Sequence, residues 1–265
     1  MLTSLQNPLV KQIRKLHAAK ERREQQLFLL EGTHLIEAAC EVSHPLGTVC
    51  CTSQWQERHQ QLWDQACRQS ERAELVSAEV LKAIATTVQP DGVIATAKRD
   101  SSQRQPSVTF TGVALSLETV QDPGNLGTII RTAVAADATG LWLSGDSVEP
   151  DNPKVLRASA GQWFRLPMAV SPDLTAVVRQ CQQLGTQVVA TIPSAKLAYW
   201  EVDLRRPTLI LLGNEGAGLS AELAAMADLP VRIPLSPGVE SLNVAIVAAL
   251  MLYEAKRQRE FVIRN

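Results

Sequence analysis

The sequence predicts an α/β protein built as two successive domains, and three observations carry that prediction. Short apolar runs of strand length alternate with segments of helical period along most of the chain. Residues 98–107 interrupt the alternation with a polar stretch, ending in Pro106 and Ser107, that has no hydrophobic period and cannot join a core. Polar, glycine-rich segments recur at the carboxyl ends of strands in the second half, where open α/β sheets place ligands.

Taken in order, Leu9, Ile13 and Leu16 follow Asn7-Pro8 at three-to-four spacing and predict a helix whose opposite side is basic. A buried strand follows over 27–32, closed by Gly32, and the pattern then repeats. It gives a helix over 33–42, a strand over 47–52, a helix over 54–70, a strand at 75–76, a helix over 78–86 and a strand over 92–97. Such alternation implies a three-layer α/β unit. The predicted organisation is a first domain over 1–98, a linker over 99–108 and a second domain over 109–265. In the second domain, strands are expected at 113–117, 141–143, 166–170, 188–192, 209–212 and 231–233. Helices are expected at 126–136, 153–159, 173–184 and 242–259.

Composition narrows the function classes. With 45% hydrophobic and 20% charged residues over 265 positions, the chain has material for two modest cores. No run of about eighteen apolar residues supports a membrane span, and the N-terminus has no apolar signal core, so a cytoplasmic location is expected. Five cysteines without a C-x-x-C pair argue against a disulfide framework or a zinc site, and reduced buried thiols are expected. The four histidines have no metal-ligand spacing, and no metal is expected. A net charge of −1 does not advertise nucleic-acid binding, but its distribution is uneven. Lys11, Arg14, Lys15, Lys20, Arg22 and Arg23 stand against Glu21 alone, a run that fits a solvated helix face or a phosphate-binding one equally well.

Three segments of the second half carry the chemistry: 118–131, 212–220 and 233–244. In the first, Asn125 is expected as a helix N-cap, Gly127 as a point of close approach, and Arg131 as a guanidinium one turn further on, suited to phosphate oxygens. A capped helix with a surface ion-pair arginine explains that segment alone as well or better. The spacing of Gly213, Gly216 and Gly218 is not that of a dinucleotide fingerprint, and no P-loop occurs. The absence of any histidine after His59 disfavours a hydrolase triad on Ser220 or Ser241.

Together, in this order, the segments resemble the SpoU family of knotted RNA methyltransferases. The first motif stands as Asn125, Gly127 and Arg131; the second as Gly213, Glu215 and Gly218; the third as Ile233-Pro234 followed by Ser241-Leu242-Asn243-Val244. The run from Arg157 to Gly161, with Leu166-Pro167, is similar to the family's intervening segment, so the likeness spans 113–259. A weaker likeness, in the stretches 7–11 and 28–32, extends to the family's L30e-like RNA-binding domain. One departure is Pro237, where many members have glycine.

The resemblance implies an L30e-like α/β domain followed by an α/β-knot domain with a deep trefoil knot, working as a homodimer through the knot domain. It implies transfer of a methyl group from S-adenosylmethionine to a ribose 2′-hydroxyl of RNA, ribosomal RNA being favoured over transfer RNA by the L30e-like extension. Leu212, Gly213, Glu215, Gly218, Ile233, Leu242 and Asn243 are implied as cofactor-binding, and Arg131, Asn125, Glu215, Ser241 and Asn243 as catalytic or orienting. The same likeness turns Lys11, Arg14, Lys15, Arg22 and Arg23, with Arg131, into candidate RNA contacts. A knotted RNA-binding protein without catalysis, and a knotted enzyme acting on a base, stand as alternatives. Which RNA and which nucleotide are modified is not written in the sequence.

Overall fold

A computed structural model describes residues 1–99 and 105–263, the last three as backbone only. By packing, the chain divides into two units, Met1–Asp100 with Glu149–Phe164 and Ser101–Val148 with Arg165–Asn265. The first crossing falls within the expected linker over 99–108, of which residues 100–104 lie outside the described residues. Residues 149–164, which lie inside the expected second domain over 109–265, pack with the first unit.

The first unit runs α1 (Pro8–Lys15), α2 (Ala19–Gln25), β1 (Leu27–Glu31), α3 (Thr33–Glu41), β2 (Leu46–Cys51), α4 (Ser53–Arg58), α5 (Gln60–Arg68), β3 (Ser70–Leu75), α6 (Ala78–Ile84) and β4 (Val93–Lys98). Its mixed sheet has the order β1-β4-β2-β3, with only β2 and β3 parallel. Alternation along β1 explains the layers: Phe28 and Leu30 face a cluster with Leu35, Ile36, Trp55 and Trp63, while Leu29 faces another with Val10, Ile13, Val80 and Ile84. Helices therefore cover both faces. Leu156, Trp163 and Phe164 complete the first cluster, which is why 149–164 belongs here. The same segment is pinned by charge, Arg157 pairing with buried Glu31 at 3.2 Å and Asp151 with Arg22 at 3.5 Å.

The long helix expected over 54–70 is two helices, broken at His59, whose φ of −127° leaves the helical region. The basic N-terminal segment is likewise split, since Ala18 is extended (φ −89°, ψ 134°) between α1 and α2. Strand β3 is longer than its expected two residues. Its Ser-Glu-Arg-Ala-Glu-Leu sequence lies at the sheet edge, with no residue fully buried, and shows no apolar alternation.

The second unit contains β5 (Val113–Leu117), α7 (Pro123–Ala135) and β6 (Gly140–Ser144); α8 (Pro153–Ala158) then lies in the first unit. The second unit resumes with β7 (Met168–Ser171), α9 (Leu174–Gln183), β8 (Gln187–Thr191), β9 (Leu197–Ala198), β10 (Thr208–Leu212), α10 (Ala221–Ala225), β11 (Leu229–Arg232) and α11 (Val244–Ile263). Its sheet is parallel throughout, in the order β7-β6-β5-β10-β8-β11-β9. Strand β10, Thr-Leu-Ile-Leu-Leu, is buried along its whole length because it enters between β5 and β8. Leu174, Val178 and Cys181 of α9 cover one face of the sheet. On α11, Val244, Ala248, Met251, Leu252 and Ala255 are buried at helical spacing. Short β9 and α10 were not anticipated, having too few residues to show a period.

Candidate active site

The ends of β5, β8, β10 and β11 all open on the carboxyl edge of the sheet, and the first of the three loops leaves β5 there. Asp122, not Asn125, caps α7: its carboxylate accepts the Asn125 amide at 2.8 Å, and Pro123 at the first helical position needs no such partner. The expectation of Asn125 as N-cap is corrected, and its side chain is thereby freed to face the second loop. It donates from Nδ2 to Glu215 Oε1 at 3.0 Å.

The second loop leaves β10 and turns back on itself, Asn214 and Gly218 exchanging both backbone hydrogen bonds at 3.0 Å. A Cβ on Gly213 would overlap the backbone of Gly218 and Leu219, so only glycine closes this loop. Asn214 is its internal brace. Its Oδ1 accepts from the Gly216 and Ala217 amides, each at 2.9 Å, and its Nδ2 donates to Thr119 O at 2.8 Å. Burial alone would raise the Glu215 carboxyl, but the Asn125 side chain and the backbone amides of Glu215, Asp122 and Gln121 outweigh it and hold it below the usual range. Glu215 is thus an ionised acceptor at neutral pH.

The third loop makes a Ser236-to-Val239 turn, closed by the Val239 amide on Ser236 O at 3.2 Å, with Gly238 at φ +87°. Proline then glycine at the two central positions suits a type II turn, which accounts for Pro237 as a turn former. Asn243 ends the loop. Its Oδ1 accepts the Ala245 amide at 2.8 Å, which starts α11, and its Nδ2 donates to Asn125 Oδ1 at 2.8 Å. Asn243, Asn125 and Glu215 therefore form one directional chain of hydrogen bonds joining all three loops.

Beside this chain lies a cleft of about 410 Å³. Among its walls are Leu212, Gly213, Glu215, Gly218, Ile233 and Leu242, together with Ser241. Asn243, Asn125 and Arg131 are not part of the lining. Sequence reasoning missed Thr191, Ile192 and Pro193, which arrive from the end of β8, and Leu235 and Glu240. It also missed Asn214, which lies inside the quoted 212–220 segment and could have been singled out as an amide flanked by glycines. Glycine at 213, apolar walls and a few convergent polar groups are what a flat, partly polar ligand of nucleoside type requires.

Arg131 is exposed, with no hydrogen bond or ion pair among the described residues. It lies one turn beyond Gly127 on α7, on the exposed stripe with Gly124 and Thr128, while Gly127 is buried. Lys11, Arg14, Lys15 and Arg23 are also exposed. Arg22 is not: only 2% exposed, it donates to the carbonyls of Leu16 and His17 and pairs with Glu149 at 2.5 Å. Its place among the RNA contacts is withdrawn, since its charge is consumed inside the first unit. The cysteine expectation fits the structure: burial pushes the Cys40 and Cys181 thiols up to about 11 and those of Cys50 and Cys51 up to about 12.

Residues 112–253 match the SpoU rRNA Methylase family, and residues 7–95 match the MRM3-like substrate binding domain. An uncharacterised tRNA/rRNA methyltransferase of Synechocystis sp. is 47% identical over 97% of this chain and 94% of the relative. The 23S rRNA (guanosine-2′-O)-methyltransferase RlmP of Bacillus subtilis is 30% identical over 96% of this chain and 98% of its own length. Among solved structures, an AdoMet-bound rRNA methyltransferase from Sinorhizobium meliloti superposes with a TM-score of 0.86 at 33% identity, covering 97% of both chains. AviRb from Streptomyces viridochromogenes with AdoMet gives 0.86 at 28% identity, covering 96% of this chain and 99% of that one. On the family match and on identity along almost its full length, this chain belongs to the SpoU rRNA methylase family.

Proposed function

We propose that this chain is an S-adenosylmethionine-dependent enzyme that methylates a ribose 2′-hydroxyl of ribosomal RNA. The observation that carries the reading is the Asn243–Asn125–Glu215 chain, which draws the three motif loops together at one glycine-walled cleft. RlmP, named for 23S rRNA 2′-O-methylation, supports the choice of target.

S-adenosylmethionine, when bound, supplies a methyl group made electrophilic by its positive sulfur. Backbone at Leu212, Gly213, Ile233 and Leu242 would hold it, the apolar side chains covering the faces of its adenine. Asn125 and Asn243 act by orientation: ionised Glu215 accepts only, so it fixes which way both amides point. Ser241, on the cleft wall, presents a hydroxyl to the sugar or donor. Arg131 cannot serve as a base in its protonated form, which has five N–H donors and no acceptor. It clamps the phosphate next to the target ribose and stabilises negative charge developing on the 2′-oxygen. An Arg131→Lys enzyme with undiminished turnover and RNA affinity would remove it from that role.

The finer architecture is part of the same proposal. Entry of β10 between β5 and β8, with the 213–218 loop closed on itself, supports a trefoil knot, and the sheet with helices on both faces supports an L30e-like first unit. Ile246 and Tyr253 on α11 are 50% and 51% exposed and border a depression with Tyr199 and Leu250, an apolar face suited to a second copy of the chain. Sedimentation showing only monomer at micromolar concentration would defeat that dimer. A cytoplasmic location fits a ribosomal substrate, and among the described residues no helix is long and apolar enough to cross a membrane.

Incubation with labelled S-adenosylmethionine and ribosomal RNA, followed by alkaline digestion, tests the activity. Ribose methylation leaves an alkali-resistant labelled dinucleotide. Label in a single base-modified nucleotide, or label only in transfer RNA, would overturn the reading.

A further inference from the structure

The first unit holds a second cleft, of about 260 Å³, between α4, α6 and the turn before β4. Its floor is built on Trp55, whose indole is buried and fixed by a 2.8 Å hydrogen bond from Nε1 to Thr33 Oγ1. Gly92, at φ +116°, lets the turn pass against Trp55, because a Cβ there would stand 2.7 Å from the Trp55 Cβ. On the indole lies the His59 imidazole, ring centroids 4.9 Å apart and planes within 29°. His59 is half-buried at the break between the two helices, with one face on Trp55, and it lines the cleft.

Around this stack two cations stand against one carboxylate. Arg58 and Lys82 line the cleft, both exposed and without an ion-pair partner among the described residues. The single carboxylate of the lining, Asp91, is engaged by the Thr33 amide at 2.7 Å. Helix α6 also links the cleft to α1: Leu81 lines the cleft and belongs to the apolar cluster on which Val10 and Ile13 pack, the side of α1 opposite its basic residues. A stacked aromatic platform flanked by two free cations is the arrangement that takes a base on the ring and its phosphates on the cations. The volume admits one nucleotide and not a duplex.

We infer that this cleft binds one unpaired nucleotide of the substrate RNA, stacked on His59 and held through its phosphates by Arg58 and Lys82. The inference rests on the RNA-modifying reading and adds to it a recognition point in the first unit. It makes the first unit a reader of single-stranded RNA beside its basic helix, so the substrate is a loop or bulge and not a continuous helix.

The test uses the full chain, with deproteinised 23S ribosomal RNA and a fluorescein-labelled single-stranded RNA as probes, at several salt concentrations. Arg58→Glu with Lys82→Glu is expected to weaken binding to both by about tenfold or more and to flatten the slope of log affinity against log salt by about 1.4, two single-strand phosphate contacts being lost. His59→Ala is expected to cost about fivefold or more, with His59→Phe restoring the affinity because a phenyl ring stacks as well. Affinity for S-adenosylmethionine, measured by calorimetry, is expected to stay unchanged in all of these variants. RNA affinity and salt slope equal to wild type in the double variant would overturn the inference, as would a His59→Ala protein that binds as tightly as wild type. Displacement of the RNA from this cleft by millimolar AMP at wild-type efficiency in the double variant would overturn it too. Methyl transfer by the wild-type chain is measured alongside. Its absence counts against the methyltransferase reading alone, whereas transfer with unaltered RNA affinity in the variants counts against the cleft alone.

Discussion

Asn243 donates a 2.8 Å hydrogen bond to the side-chain oxygen of Asn125, a residue 118 positions earlier in the chain, and Asn125 passes the polarity on to Glu215. The amide order is set at one end by a carboxylate that only accepts and at the other by the Ala245 amide that only donates. Asn125→Asp breaks this order at its centre, putting a second carboxylate against Glu215 and removing its donor. Hydrogen bonds to charged groups are worth about 1.5–3 kcal/mol, so kcat/KM for methyl transfer is expected to fall by about 10- to 100-fold. Labelled-methyl assays at fixed RNA read this directly, and an Asn125→Asp enzyme as fast as wild type would show that the chain orients nothing.

Gly213→Ala is expected to act on the donor cleft itself. Its methyl group would overlap the backbone of Gly218 and Leu219, which cannot rotate away as a side chain would. Overpacking of this kind costs about 1–3 kcal/mol, and here the strain falls on the loop that walls the cleft. Calorimetry should find S-adenosylmethionine binding lost or strongly weakened, with a lower melting temperature. Unchanged binding would mean the loop has another closed form.

Much of the second unit was legible because its strands are apolar runs between helices of clear period, and β5, β8 and β10 lie within a residue or so of where the sequence puts them. What the sequence hid is order in space. Thr191, Ile192 and Pro193 reach the cleft because β8 lies beside β10, a neighbourhood no local pattern announces. Asn125 looked like a cap because Asn caps helices well, yet Asp122 followed by Pro123 made the stronger start. Arg22 looked like surface because arginines in a basic run usually are; its burial depends on Glu149 and Asp151, which lie far along the chain.

The pH response of the site follows from Glu215. Its carboxyl is held below the usual range in the folded protein, so its stabilising hydrogen bonds are fully present above the unfolded value of about 4.3 and are lost as pH falls through the lower folded value. Donor affinity should therefore be insensitive to this group from neutral pH down to about 5 and decline only in stronger acid. Calorimetric titration across that range, with Glu215→Gln as the comparison, checks the assignment. A loss centred near neutral pH would point to a different group.

Glu31 and the 149–164 segment give a stability prediction for the first unit. Glu31 accepts from the amides of Thr86 and Thr87, each at 3.0 Å, from both hydroxyls, and from Arg157. Glu31→Ala strands these part-buried donors and should cost about 3 kcal/mol, while Arg157→Ala leaves the hydroxyl and amide bonds in place and should cost about 1 kcal/mol. Phe164→Ala opens the same cluster from the inserted segment and should cost about 3–5 kcal/mol. Urea unfolding followed by tryptophan fluorescence would rank them, and equal effects from all three would contradict the order.

Separating structural from RNA-facing arginines is a further check. Arg14→Glu with Lys15→Glu should weaken RNA binding and its salt dependence at unchanged melting temperature, since both residues are exposed. Arg22→Ala should instead lower the melting temperature, breaking a buried pair at a cost of about 3–5 kcal/mol. The reverse pattern would restore Arg22 to the RNA surface.

Strand β10 lies between β5 and β8, yet it is made after both. A growing chain that has completed β8 therefore holds either a slot waiting for residues not yet synthesised or a premature β5–β8 pairing that must later be prised apart. In the first case apolar strand edges stay open to other chains until Leu212 has emerged, and in the second a wrong pairing must be undone at that point, which makes synthesis the hazardous part of this protein's life and its last quarter the part that ends the hazard.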